Sequence, residues 1–130
     1  MKKFILLPFL LIFTFLLTGS VAAQTKVRVR FARGATSKTV QGKVTGYKFI
    51  DYLVGAKSGQ TMSVTLNSAH GGCSFVIFYS DMKNVEGAAD VTEFTRNVDV
   101  DDDYVVRVLL PRSAARRKES AAFSLKISIE

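Results

Sequence analysis

The chain has 130 residues, with 18 lysines and arginines against 11 aspartates and glutamates, and a formal net charge of +7. This length supports one domain around a single core and excludes a two-domain protein. Cys73 is the only cysteine of the chain, so an intramolecular disulfide is excluded. We expect Cys73 to be a small buried side chain and the core to supply the stability.

The N-terminal segment has the pattern of a secretory signal peptide. Lys2 and Lys3 precede an apolar run from Phe4 to Leu17, and small residues end at Ala23, before Gln24. The apolar run of about 14 residues is shorter than the roughly 20 that a membrane-spanning helix needs. We therefore predict a cleaved leader over residues 1–23, a single domain over residues 24–130, no membrane span, and a periplasmic or secreted location.

Apolar side chains recur with a spacing of two along the rest of the chain, and not with the spacing of a helix. The alternation is found from Val27 to Phe31, from Met62 to Leu66 and from Phe123 to Ile129. A period of two is typical of strands with one buried and one solvated face. These segments are therefore predicted to be half-buried strands.

Three further runs are apolar at successive positions, so both faces of a strand formed by them would be apolar. They are Phe49 to Val54, which Asp51 interrupts, Phe75 to Tyr79, and Tyr104 to Leu110, which Arg107 interrupts. Strands covered on both faces have this pattern, so we expect all three runs to be central strands.

Turn residues separate these strands, and no amphipathic stretch reaches helical length. The pattern predicts an all-β fold, an antiparallel β-sandwich of about eight short strands. Helix is expected only as a single turn in the loop before the last strand. Good helix formers lie between Ser113 and Ser120, and Ser113 can cap such a turn.

Charge is distributed unevenly along the chain. Residues 26–48 hold seven basic side chains and no acid, residues 86–103 hold seven acids and one arginine, and residues 107–118 add five cations without an acid. Solvated strand faces carry such charges for solubility. A basic surface also suits an anionic envelope polymer or an acidic cleft of a protein. Both interpretations stay open at this point.

Signatures of catalysis, cofactors and nucleic-acid binding are nearly absent. His70 and Cys73 lie close in sequence, but Gly71 and Gly72 between them indicate a turn, and no orienting group is evident. No Gly-x-Ser-x-Gly or phosphate-binding glycine loop is present. Phe31 shares parity with the buried side of its strand, and exposed aromatics are what nucleic-acid binding needs. We predict no catalytic residue, no cofactor and no nucleic-acid partner.

The acidic segment Asp99 to Asp103 raises the question of a metal site. Its alternate aspartates match the first ligand positions of an EF-hand loop, but Tyr104 stands where glycine is required and Leu110 where glutamate is required. The segment is therefore interpreted as a solvated hairpin tip, with a calcium-stabilised module as a minor alternative, and no metal ligand is assigned.

The loop from Leu110 to Ser120 is the strongest candidate for a binding site. Pro111 stops the preceding strand, and a helical turn would place Arg112 and Arg116 on one face. Two guanidinium groups presented together suit bidentate binding of carboxylates. From the residues alone, these arginines could equally serve only to keep a loop soluble.

Two stretches of the sequence resemble the periplasmic inhibitors of g-type (goose-type) lysozyme. The more discriminating motif is Tyr104-x2-Arg107-Val108-x3-Arg112-x2-Ala115-Arg116, followed by an alternating last strand. The other motif is Gly42-x3-Gly46-Tyr47-x4-Tyr52-x3-Ala56-x2-Gly59-Gln60, which is also similar to β-sandwich modules of secreted peptidases. Residues 69–95 carry no part of the resemblance.

The resemblance implies a periplasmic β-sandwich that binds a g-type lysozyme and blocks its substrate cleft. By position, the inhibitory residues would be Tyr47, Arg112 and Arg116. The alternative function is a non-catalytic carbohydrate-binding or envelope-binding module of the peptidase-associated type.

Overall fold

The computed structural model describes residues 25–130, so the leader predicted for residues 1–23 and the cut before Gln24 lie outside the described residues. Eight strands and one short helix follow one another along the described chain. Their bounds are β1 Thr25–Arg28, β2 Ser37–Thr45, β3 Ile50–Ala56, β4 Thr61–Ser68, β5 Ser74–Phe78, β6 Glu93–Asn97, β7 Asp102–Leu109, α1 Arg112–Arg116 and β8 Ser120–Ile129. The prediction of an all-β chain of about eight strands, with one helical turn before the last, is confirmed.

The strands form two four-stranded sheets that pack face to face. One sheet has the order β1-β3-β7-β5 and the other the order β2-β8-β4-β6. All neighbours pair antiparallel except β1 and β3, which run parallel from Thr25 opposite Ile50 to Arg28 opposite Leu53. The predicted antiparallel sandwich therefore holds apart from this one edge pair.

The core lies between the sheets and is built from alternate side chains of each strand. Its largest fully buried members are Phe75, Ile77, Leu125, Ile127, Val44, Val54, Val64, Val106 and Val108. Cys73 is buried and unpaired, as predicted, and burial raises the pKa of its thiol. A thiol held in its protonated form is a poor nucleophile.

The two charged residues that interrupt the apolar runs of β3 and β7 are register partners. Asp51 lies opposite Arg107, and the guanidinium donates from Nε to Oδ1 at 2.8 Å and from Nη2 to Oδ2 at 3.0 Å. The Arg107 Cζ atom also lies 3.9 Å from the centre of the Phe49 ring. Asp51 is the one buried charged residue between 25 and 130, and its carboxylate is fully paired.

The run Phe75 to Tyr79 is not a central strand, and here the prediction was wrong. It forms β5, at the edge of its sheet. A non-strand segment, residues 84–91, follows that edge through isolated bridges from Phe75 to Val91 and from Phe78 to Asn84. The outward side chains of the run, Val76 and Phe78, are partly buried, and the Phe78 ring lies against Arg107 of the neighbouring strand.

The helical turn is displaced from its predicted bounds. It begins at Arg112, and its N-cap is Pro111, which has no side-chain hydrogen bond to the helix, so Ser113 is not the cap. Pro111 ends β7 and holds a φ of −66°, which leads directly into the helix. The N-cap and the start of the helix therefore lie two residues earlier than the capping pattern predicts.

Candidate functional site

Three connections between strands meet at one end of the sandwich, called here the α1 end. They are the β2–β3 turn (residues 46–49), the β4–β5 loop (residues 69–73) and the β7–α1–β8 connection (residues 110–119). The strand register requires this meeting, because Thr45 lies opposite Ser120, and Leu109 lies opposite Ser74. The sequence-predicted residues Tyr47, Arg112 and Arg116 all belong to this end.

Tyr47 projects from the tight turn between β2 and β3. Gly46 has a φ of +59°, a conformation that glycine adopts without steric cost, and Lys48 N donates to Thr45 O at 3.1 Å to close the turn. Gly46 N donates to Glu119 O at 2.9 Å, so the turn is tied to the α1–β8 connection. Tyr47 is 67% exposed. The turn thus presents a large aromatic ring to solvent on an anchored backbone.

Helix α1 presents its arginines and buries its alanines. Ala114 and Ala115 are buried, whereas Arg112 and Arg116 are exposed. Residues four apart in a helix share a face. The structure therefore brings the two predicted arginines together on the solvent side of α1, beside the Tyr47 turn.

The helix ends in a Schellman motif. Glu119 N donates to Ala114 O at 3.1 Å, and Lys118 N donates to Ala115 O at 3.0 Å, which is the hydrogen-bond pattern of that motif. Lys118 supplies the required left-handed residue with a φ of +55°. The short helix is thereby closed at its C-terminal end and leads directly into β8.

The arginines of this end differ in their partners. Arg117 donates to Glu119 Oε2, whereas Arg112 and Arg116 make no side-chain hydrogen bond or ion pair with any residue between 25 and 130. Lys48 and Lys118 are exposed at the same end. Two guanidiniums therefore remain available in a basic surface, which attracts an acidic partner and binds carboxylates bidentately.

His70 also lies at this end and was not predicted as a functional residue. Its Nε2 atom lies 2.9 Å from Glu119 Oε1, and Gly72 N donates to its Nδ1 atom at 3.0 Å. Gly72 packs on Pro111, since a Cβ atom at Gly72 would lie 2.9 Å from Pro111 Cγ. The only sequence signal was that His70 is the single histidine of the chain. Its partner Glu119 is 49 residues away, so no local pattern indicates the pair.

The acidic segment lies at the opposite end of the sandwich, and its carboxylates hold different groups. Asp101 Oδ1 accepts from Ser58 N, Asp102 Oδ2 accepts from Ser80 N, and Asp103 pairs with Arg28 at 2.9 Å. Hydrogen bonds from Ser80 lower the pKa of Asp102. Within residues 25–130, no three His, Cys, Asp or Glu side chains are grouped so as to hold a metal ion. In the same range, no helix has the length and apolar character to cross a membrane.

Known proteins resemble both the sequence and the fold, although no protein-family model matches the chain. The chain is 25% identical over 128 residues to the inhibitor of g-type lysozyme of Escherichia coli strain K12, and 92% of each protein is covered. The crystal structure of the periplasmic g-type lysozyme inhibitor of Aeromonas hydrophila is 32% identical, with a TM-score of 0.74 over 82% of this chain and 96% of that one. The chain belongs to the periplasmic inhibitors of g-type lysozyme. The family resemblance seen in the sequence motifs is confirmed.

Another structure shows the fold of this inhibitor family at lower identity. The periplasmic g-type lysozyme inhibitor of Salmonella Typhimurium is 24% identical, with a TM-score of 0.65 over 82% of this chain and 98% of that one. These relatives are inhibitor proteins, which agrees with the prediction that the chain is not an enzyme.

Proposed function

We propose that this protein is a periplasmic inhibitor of g-type lysozyme and that it binds the enzyme through the α1 end. The observation that carries the proposal is the similarity to named inhibitors over nearly the whole length of each relative. The structural neighbours are described as periplasmic. This location agrees with the leader that we propose for residues 1–23, which leaves a mature chain beginning at Gln24.

The chemistry of the α1 end supports a role for Tyr47, Arg112 and Arg116 in binding. Lysozymes hold catalytic carboxylates in a cleft shaped for a sugar polymer. The guanidiniums of Arg112 and Arg116 are exposed and have no partner among residues 25–130, so they can pair with such carboxylates while the loop excludes substrate. Tyr47 adds a rigid amphipathic surface beside them, and tyrosine and arginine are enriched among residues that dominate binding energy.

The alternative function, a carbohydrate-binding module, has less support from the surface. Sugar rings stack on exposed aromatic side chains, and Tyr47 is the one aromatic residue between 25 and 130 that is more than a third exposed. The solvent face of the β2-β8-β4-β6 sheet carries mainly small polar side chains, among them Gln41, Asn67 and Ser124, around a shallow groove. Phe123 also lines the groove, but it is only 5% exposed and so offers no platform for a sugar ring.

The test measures residual activity of a g-type lysozyme on a cell-wall substrate with increasing amounts of residues 24–130, beside a c-type lysozyme. We expect loss of g-type activity alone. Arg112→Ala and Arg116→Ala should each weaken binding by about 1–3 kcal/mol, with unfolding free energies within about 0.5 kcal/mol of the parent because both side chains are exposed.

The matched control is Arg33→Ala, which removes an exposed arginine from a turn at the opposite end of the sandwich. This variant should inhibit as strongly as the parent. Full inhibition by the Arg112→Ala/Arg116→Ala double variant would refute the arginine mechanism. No inhibition by the parent protein at micromolar concentration would refute the proposed function itself. The mass of the protein recovered from the periplasm tests whether the mature chain begins at Gln24.

A further inference from the structure

One residue joins all three connections of the α1 end. The backbone and side chain of Glu119 form four hydrogen bonds, each to a different residue. Its N–H donates to Ala114 O at 3.1 Å, and its carbonyl accepts from Gly46 N at 2.9 Å. Its Oε1 lies 2.9 Å from His70 Nε2, and its Oε2 accepts from Arg117 Nε.

Three of these partners lie on the segments that carry the residues proposed to bind lysozyme. Gly46 directly precedes Tyr47, and Ala114 lies within α1 between Arg112 and Arg116. His70 belongs to the third connection, the β4–β5 loop, which packs on Pro111 at the start of the helix. The relative positions of the tyrosine and the two arginines therefore depend on bonds that meet at one glutamate.

The carboxylate of Glu119 is suited to this arrangement by its charge. Its hydrogen bonds from Arg117 and from His70 lower the pKa of the Glu119 carboxyl, in that order of effect. The group is therefore ionised at neutral pH and accepts from both neighbours at once. Arg117 is held by Glu119, whereas the guanidiniums of Arg112 and Arg116 have no partner in the part of the chain that the structure describes.

The hydrogen bonds of His70 define its tautomer. Gly72 N donates to Nδ1, so Nδ1 carries no proton in the neutral ring, and Nε2 carries the proton that it donates to Glu119. A glutamine side chain can also donate from its Nε2 atom at a similar reach, whereas leucine cannot. His70→Gln and His70→Leu are therefore a conservative and a disruptive variant of similar size.

We propose that Glu119 and His70 are positioning residues that hold the Tyr47 turn and helix α1 in one binding arrangement before lysozyme is met. The proposal rests on the proposed function of the α1 end. Its physical basis is preorganisation, because loops already held in the bound arrangement lose less conformational freedom on binding. The two side chains act through Tyr47, Arg112 and Arg116, and do not themselves contact the enzyme.

The experiment compares Glu119→Gln, His70→Leu and His70→Gln with the parent protein in two measurements. The first is the inhibition constant against g-type lysozyme. The second is amide hydrogen exchange of the free protein at Gly46, whose N–H bonds Glu119 across two connections, and at Gly72 and Glu119, whose N–H groups report the order of the His70 loop and of the end of α1. The matched control is Asp103→Asn, which removes a carboxylate from the exposed ion pair with Arg28 at the opposite end.

We expect Glu119→Gln and His70→Leu to raise the inhibition constant about 5- to 20-fold, corresponding to loss of one or two kcal/mol of binding. Both should speed amide exchange at the α1 end. His70→Gln should stay within about threefold of the parent, because it can restore one donor to Glu119. Asp103→Asn should change neither the inhibition constant nor exchange at the α1 end.

Two results would overturn the positioning role. The first is unchanged inhibition by both Glu119→Gln and His70→Leu. The second is weaker inhibition with unchanged amide exchange, which would indicate that these side chains contact the enzyme directly. These results differ from failure of the proposed function, which is lack of inhibition by the parent. They also differ from failure of the arginine mechanism, which is full inhibition by the Arg112→Ala/Arg116→Ala variant.

Discussion

Removal of Arg107 should destabilise the protein more than any exposed substitution, because it leaves a buried carboxylate unpaired. The side chain of Asp51 is 3% exposed and that of Arg107 is 21% exposed. Both oxygens of Asp51 accept from the guanidinium, at 2.8 Å and 3.0 Å. The pair lies in register between β3 and β7, the two central strands of their sheet.

The expected loss in the free energy of unfolding depends on which of the two charged groups stays without a partner. Arg107→Met leaves Asp51 without a partner in a site closed to water, and breaking a buried pair in this way costs about 3–5 kcal/mol. Asp51→Asn leaves a guanidinium that still reaches solvent and lies over the Phe49 ring, so we expect a loss of about 1–3 kcal/mol. Domains of this kind are stable by roughly 5–15 kcal/mol, so either loss is readily measured.

The double variant Asp51→Leu/Arg107→Met makes the prediction specific to the pair. It removes both charges and leaves two apolar side chains beside Phe49 and Phe78, whose rings already contact the arginine. Replacing a buried ion pair by apolar groups of similar volume is often neutral. We therefore expect the double variant to lie within about 1 kcal/mol of the parent and above Arg107→Met.

The assay is equilibrium unfolding of residues 24–130 in urea at neutral pH, followed by circular dichroism, with free energies extrapolated to water. Arg33→Ala, an exposed arginine in a turn, serves as the reference for loss of a solvated charge. The reasoning is refuted if Arg107→Met costs less than about 1 kcal/mol, or if the double variant is less stable than Arg107→Met.

Two further predictions concern the core. Gly42→Ala should destabilise the protein by about 1–3 kcal/mol in the same unfolding assay, because the added Cβ would lie 2.7 Å from Phe123 Cζ and 2.8 Å from the Tyr52 hydroxyl. Gly71→Ala, which has no atom within 4 Å of its new Cβ, is the control, and equal losses in the two variants would contradict the packing argument. Burial, followed by the nearby charge of Asp99, raises the pKa of Tyr104 to about 12, above its ordinary value near 10. The unfolded chain therefore loses this proton first, so stability should fall as pH rises from about 10 to 12. Tyr104→Phe should reduce this fall in melting temperature, and an identical fall in parent and variant would show that Tyr104 does not contribute to it.

The sequence by itself indicated six of the eight strands, because apolar side chains at alternate or successive positions report the buried faces of a sheet. It did not locate β2 and β6. The sequence also indicated the family, because several motif residues are of a type that the local backbone conformation or close packing requires. Gly46 and Gly59 adopt positive φ values, and Gly42 leaves room for Phe123 and Tyr52. A helical turn before the last strand was predicted because good helix formers follow a proline that stops a strand, although Ser113 is not its cap. Such local requirements are visible in a single chain.

The partners of each strand were decided only by the tertiary structure. The parallel pairing of β1, the edge position of β5, and the pairing of Asp51 with Arg107 join residues far apart in sequence. The same holds for the links from Glu119 to His70 and to Gly46, which assemble the α1 end. An apolar pattern indicates that one face of a strand is buried, but it does not indicate which strand or sheet covers that face. The hydrophobic effect is non-directional, so any apolar neighbour would serve. The pairing of each strand depends on the cooperative packing of both sheets around the core. It therefore cannot be predicted from any one segment of the sequence.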